Sequence, residues 1–344
     1  MVPIDFPEDL VGQFFGVGSV GEDNPHTPLQ YIQDIYVPYA YQIPNLHEED
    51  MIRQFGSLVE GFEDDGNFIL DADIHTYREI TEEDDPLLPE KKYFHSMYLL
   101  FEEQKYRYFK MQTTAPATMC FSTRGSDGKQ LVSPQMFRFY SSLMKRIAQG
   151  LADHIAPSVQ NTIHCQDDPS LGYFIELVDS GQAGNLTVKH VVQSTDNLFP
   201  DEVIPAYHYC DDWRDLERDG WYILWDSRPK MIHIDLVSYN PILESEQSEK
   251  MNQFFEKGGG LALGVLPNVD DGFPDAVINV LKRNLDSTIV HFAKSGVSIE
   301  LLGKASMVST QCGLSRASSK LIKEIHTSSH KFPEIFMEAI SKKL

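Results

Sequence analysis

Ile204-Pro-Ala-Tyr-His-Tyr-Cys-Asp-Asp-Trp213 passes from an apolar, strand-like run into a polar turn, and a His-x-Cys pair, His208 and Cys210, stands where the one gives way to the other. Residues two apart on a strand point to the same side, so this imidazole and this thiolate can converge on one point. A second sulfur, Cys312, follows another apolar run in Ser309-Thr-Gln-Cys-Gly-Leu-Ser-Arg316. Structural zinc sites close with four protein ligands from short CxxC-like spacings, whereas three ligands from separate strand ends leave a position open for a substrate. The chemistry natural to such an open site is activation of a thiol.

Strand-like and helix-like stretches alternate outward from this segment in both directions. Strands are expected at Gln13 to Val17, Tyr39 to Ile43, Tyr108 to Gln112, Asn161 to Cys165, Val203 to Tyr207, Met231 to Val237, Gly260 to Leu266 and Lys304 to Val308. Ser133-Pro134 supplies a cap and a first-turn proline for a helix running to about Ile155. A second long helix is expected from near Pro274 to Gly296, with Val277, Leu281, Leu285, Ile289 and Phe292 on its inner stripe. Strand followed by helix, repeated about eight times, predicts a single (β/α)8 barrel of the TIM type over residues 1–344, preceded by a short N-terminal extension. In that fold, sites lie at the C-terminal strand ends, where His208, Cys210 and Cys312 fall. No G-x-G-x-x-G follows the first strand, which argues against the doubly wound alternative. The stretch from Glu60 to Glu90, with Glu63-Asp64-Asp65 and Glu82-Glu83-Asp84-Asp85, breaks the alternation and reads as an acidic, solvated insertion.

Composition narrows the function classes. A net charge of -22, from 29 Lys and Arg against 51 Asp and Glu, would repel a phosphate backbone, so nucleic acid is not an expected partner. No apolar run is long enough to span a bilayer, and Asp5, Glu8 and Asp9 stand where a signal peptide would be basic, so a cytoplasmic protein with no membrane partner is expected. Four cysteines, Cys120, Cys165, Cys210 and Cys312, are too few for a disulfide scaffold, and Cys120 and Cys165 read as buried hydrophobes. His164 and His233 lie inside expected strands and read as core or rim histidines; Trp213, Trp221, Trp225 and Tyr239 read as packing.

Several segments, taken in order, resemble the superfamily that joins cobalamin-independent methionine synthase to uroporphyrinogen decarboxylase, and most of all its single-barrel methionine synthase-like members. Phe15-Gly-Val-Gly-Ser19 resembles the first-strand "IGS" turn, Ala115-Pro-Ala-Thr-Met119 the "GPVTM" segment, and Gln166-Asp-Asp-Pro-Ser-Leu171 the "DEPAL" segment. His208-Tyr-Cys210 and Gln311-Cys-Gly-Leu314 resemble the zinc motifs, and Gly258-Gly-Gly-Leu-Ala-Leu-Gly-Val-Leu266 the seventh-strand segment. The resemblance implies a Zn2+ cofactor on His208, Cys210 and Cys312. It also implies a substrate carboxylate held at Gly18 and Ser19, and an ammonium or other cation held by Asp167 with Asp168 beside it.

The departures are as specific. Asn240 falls where the family has its fourth zinc ligand, a Glu, so the metal would be held by three residues and water or by a nearby carboxylate such as Asp235 or Glu244. Asn45 falls at the Glu that contacts the substrate amino group, Val269 near the proton-donating His, and Tyr173 at the folate-contacting Glu. The resemblance therefore implies a zinc-dependent methyltransferase acting on a homocysteine-like or other small thiol. The methyl donor would be either a folate or a methylated corrinoid on a partner protein. The alternative is a non-catalytic or regulatory binding barrel. Porphyrinogen decarboxylation ranks below both, because Phe14 to Tyr36 holds no Arg or Lys to meet several carboxylates.

Overall fold

The computed structural model describes residues 6–64, 66–101, 104–218, 220–228 and 231–344. Seven strands form one parallel sheet: β1 (Phe14–Phe15), β2 (Tyr106–Thr114), β3 (Val159–Asp167), β4 (Val203–His208), β5 (Met231–Asp235), β6 (Gly260–Leu266) and β7 (Ser306–Thr310). Their spatial order is β1-β7-β6-β5-β4-β3-β2, with every pairing parallel. Strands β4 to β7 are buried at every position, as parallel strands between a filled interior and an outer layer of helices must be.

An order in which the first strand lies beside the last describes a curled sheet, and the fold is TIM-barrel-like. Segment 38–42 links its two edges. On one side Ala40 N–H donates to Lys110 O at 2.8 Å and Lys110 N–H to Pro38 O at 2.9 Å; on the other, Gln42 N–H donates to Gly18 O at 3.2 Å and Val20 N–H to Gln42 O at 2.9 Å. The expected strand at Tyr39 to Ile43 is thus reduced to isolated bridges, Tyr39 with Lys110 and Ser19 with Gln42.

Strand ends shift from expectation for local reasons. β5 stops at Asp235 because the Asp235 carboxylate accepts from the amides of Val237 and Ser238, turning the chain. β7 starts after Lys304 because Ser298 caps a short helix, Ile299–Lys304, in front of it. The helix Pro134–Ile155 begins as expected, with Ser133 accepting from Met136 N, and the helix Val277–Lys294 lies within its expected span.

Residues 1–5, in the expected N-terminal extension, lie outside the described residues. The chain from Phe6 lies against the N-terminal ends of β6 and β7: Gly12 N–H donates to Ser306 O, and a side chain at Gly260 would strike the Phe6 ring. The acidic stretch is ordered wherever it is described. Phe62–Asp64 pairs with Phe68–Leu70, which pairs with Thr123–Arg124, and the helix Ile74–Glu82 packs on Pro134–Ile155. The buried Arg146 guanidinium donates to the carbonyls of Glu79 and Asp85, so the backbone is docked while Glu82, Glu83, Asp84 and Asp85 stay exposed.

Candidate metal centre

Register brings the site to one height on the sheet. Asp167 and His208, the last residues of β3 and β4, pair across to each other, and His208 pairs with His233 in the middle of β5. Partners in parallel strands face the same side, so all three side chains face the barrel interior. Cys312 arrives from the loop after β7, whose path is set by an irregularity in the β6–β7 ladder between Gly264 and Leu266. Beyond it Gln311 N–H donates to Leu266 O at 2.7 Å, and Thr310 Oγ1 donates to Cys312 O at 2.8 Å.

The ligand atoms of His208, Cys210 and Cys312 all lie within 4.8 Å of one another. Cys210 Sγ is 2.9 Å from His208 Nε2 and 3.4 Å from Cys312 Sγ, and Cys312 Sγ is 3.8 Å from His208 Nε2. Two sulfurs on one zinc at about 2.3 Å each are separated by less than about 4.6 Å, so the donor set and its spacing fit that ion. His208 is buried and both cysteines are half-buried. Cys312 is drawn down to about 4, chiefly by its hydrogen-bond contact with Cys210, while the same contact and burial push Cys210 up.

Asp167 stands beside this group. It is buried, and its Oδ1 has no hydrogen-bond partner. Burial raises its pKa, Lys110 and His208 pull it back down, and Cys312 pushes it up. Lys110, fully buried inside the barrel, donates to Val17 O and to Gln112 Oε1, bracing the turn that leads to Gly18 and Ser19. Ser19 itself lies against the cysteine loop: its carbonyl accepts from Leu314 N–H at 2.7 Å, and a side chain at Gly313 would meet its hydroxyl.

Three expected site residues fall elsewhere. Asp168 is fully buried with both carboxylate oxygens engaged, accepting from Thr118 Oγ1 at 2.6 Å and Tyr207 OH at 2.5 Å. Being next to Asp167 on an extended chain it faces the other way, and it ties the 115–119 and 166–171 segments together instead of reaching a substrate. Asn240 is exposed in the loop after β5, its carbonyl accepting from Arg214 and from Ile242 N–H. Asp235 is the acid at that strand end that acts electrostatically on both cysteines, whereas Glu244 is exposed and occupied in a helix-capping box. Asn45 is exposed and donates to Asp23; Glu49, buried four residues on, holds that turn by accepting from Ile43 N–H and His95.

Asp168 carries a testable pH signature. Burial raises its pKa to about 6 against the opposing hydroxyl hydrogen bonds. A carboxyl whose folded pKa lies above its unfolded value of about 3.9 stabilises fully below about pH 4, and that contribution is lost as pH rises through about 6. Asp168→Asn, which cannot ionise, is expected to gain about 2–3 kcal/mol on wild type between pH 4 and pH 7 in chemical denaturation. Parallel pH profiles for the two proteins would contradict the assignment.

His233 is the neighbour that a reading as a core histidine overlooks. Its Nε2 lies 2.8 Å from Thr310 O and its Nδ1 2.7 Å from His208 Nδ1, and burial holds its pKa well down, so the ring is neutral. An apolar groove lined by Phe6, Val11, Gly259, Leu301, Ala305 and Met337 lies at the opposite end of β6 and β7 and has no part in this site. Among the described residues, no helix is long and apolar enough to cross a membrane.

No protein-family model matches the chain, and no curated protein matches its sequence. Among solved structures it is similar to the B12-independent methionine synthase from Shewanella sp. W3-18-1, solved in complex with selenomethionine, with a TM-score of 0.55 and 12% identity over 97% of this chain and 98% of that one. At that identity, what the two chains share is the fold.

Proposed function

We propose that this chain is a one-domain, zinc-dependent methyltransferase that places a methyl group on the sulfur of a small, homocysteine-like thiol. The observation that carries the reading is the convergence of His208 Nε2, Cys210 Sγ and Cys312 Sγ within 4.8 Å at the C-terminal strand ends of a TIM-barrel-like fold. Zinc held by these three would keep a substrate thiol deprotonated and nucleophilic at neutral pH. The fold shared with a methionine synthase supports the same chemistry.

The chain's own residues supply the rest. The unpartnered Oδ1 of Asp167 accepts from a substrate ammonium, which keeps the carboxylate charged despite its burial. Gly18 and Ser19, braced from below by Lys110 and pinned to the cysteine loop through Leu314, receive the substrate carboxylate. Asp235 adds negative charge beside the sulfurs. Transfer forms a sulfur–carbon bond and breaks the donor's bond to its methyl carbon; the thiol proton has already left to solvent. The donor is a methylated corrinoid on a partner protein or a methylated folate.

Purified protein is expected to hold about one equivalent of zinc, to release about one proton per homocysteine bound, and to form a thioether from a methylcorrinoid or methylfolate donor. Protein without zinc and without proton release on thiol binding would overturn this reading in favour of a binding barrel.

A further inference from the structure

We propose that His233 is a positioning residue that sets which nitrogen of His208 faces the two sulfurs. The proposal rests on the zinc reading above and goes beyond its ligand set. A carbonyl oxygen only accepts hydrogen bonds, so the contact with Thr310 O at 2.8 Å makes Nε2 the protonated nitrogen of His233. Full burial with no carboxylate among its hydrogen-bond partners keeps the His233 ring neutral, so its Nδ1 carries a lone pair and the 2.7 Å contact makes His208 Nδ1–H its donor. His208 Nε2 is thereby left bare, 2.9 Å from Cys210 Sγ and 3.8 Å from Cys312 Sγ. The opposite tautomer would aim an N–H at the sulfurs and could not bind a metal there.

The same chain of contacts joins the arms of the site. It starts on the Thr310 carbonyl at the end of β7, passes through His233 on β5 and ends at His208 on β4. The Thr310 hydroxyl meanwhile holds the carbonyl of Cys312. His233 is itself locked, fully buried and stacked on Phe15 with ring centroids 5.9 Å apart. A carbonyl or carboxylate behind a ligand histidine commonly fixes its tautomer; here a second, neutral imidazole relays the carbonyl's preference across one more strand.

The test is the zinc affinity of the full-length protein, measured by competition with a chromogenic chelator. His233→Leu, which keeps the volume but offers no acceptor, is expected to weaken zinc binding roughly 10- to 100-fold. His233→Asn, whose Oδ1 replaces the Nδ1 acceptor, is expected to recover most of that loss. Wild-type protein that binds zinc together with a His233→Leu protein of equal affinity overturns the proposal and leaves the zinc reading standing. Wild-type protein that binds no zinc overturns that reading and this inference with it. If His233→Leu does not fold, nitrogen-15 NMR of histidine-labelled wild type without added metal decides: a proton on His208 Nδ1 with a bare Nε2 supports the proposal, and a proton on Nε2 overturns it.

Discussion

Cys312→Ser is expected to lower zinc affinity by roughly a thousandfold or more and to leave the purified protein with far less than one equivalent of metal. The argument is one of ligand number and charge. A histidine ligates metal through a neutral ring, so the two sulfurs would supply all the anionic charge of the trio, and Cys312 is the one drawn down to about 4. A serine hydroxyl stays protonated there and offers a hard, neutral oxygen where a soft anion stood. The fold should survive, because Cys312 is half-buried in a loop whose backbone is fixed by the bonds of Gln311 N–H and Thr310 Oγ1. Cys120→Ala is the matched control, since Cys120 is buried in the core away from the trio and its loss should leave zinc content unchanged. Elemental analysis of the two variants reads the outcome, and stoichiometric zinc in Cys312→Ser would contradict the assignment of that sulfur as a ligand.

Gly264→Ala is expected to cost about 3 kcal/mol of stability, a large effect for one methyl group. A Cβ at that position would lie 2.6 Å from Ile234 O, 3.0 Å from Gln311 Cα and 3.1 Å from Thr310 O, all of them backbone atoms that cannot swing aside. The strain falls where the β6–β7 ladder shifts register and where the chain turns toward Cys312. Relief therefore moves Thr310 and Gln311 outward, lengthening both the His233 contact and the reach of Cys312 to His208. Zinc affinity should fall with stability. A variant whose denaturation midpoint and zinc content both match wild type would show that the wall yields more easily than its geometry implies.

The convergence of His208, Cys210 and Cys312 was legible because it depends only on where apolar runs stop, and such ends are marked by composition. The alternation of strand and helix, and the start of the helix at Ser133-Pro134, were legible for the same local reasons. What the sequence hid depends on register and on caps. Asp167 and Asp168 are alike in chemistry, and only the two-residue period of β3 separates the one facing Lys110 from the one facing Thr118 and Tyr207. That period could have been applied beforehand, since Cys165 and Asp167 share a face. Asp235 and Glu244 are equal alternatives to Asn240 in the sequence, and what separates them is the end of β5, two residues earlier than expected, which the Asp235 side chain sets by capping its own turn. His233 sits among apolar neighbours that mask it, although two-residue spacing places it on the same side as Asp235. The segment around Tyr39 has strand composition but contacts each edge of the sheet through only two backbone hydrogen bonds, a property of the closed wall that no local window contains.

The order of the strands would tie the proposed metal site to the assembly of the sheet. His208 and Cys210 leave β4, while Cys312 leaves β7, which takes its place only between β6 and β1. The pair on β4 alone offers an ion two donors. The third comes only when β7 is in place two strands beyond β5, so a zinc ion on all three would clasp the middle of the chain to its last strand, and its binding energy would oppose their separation.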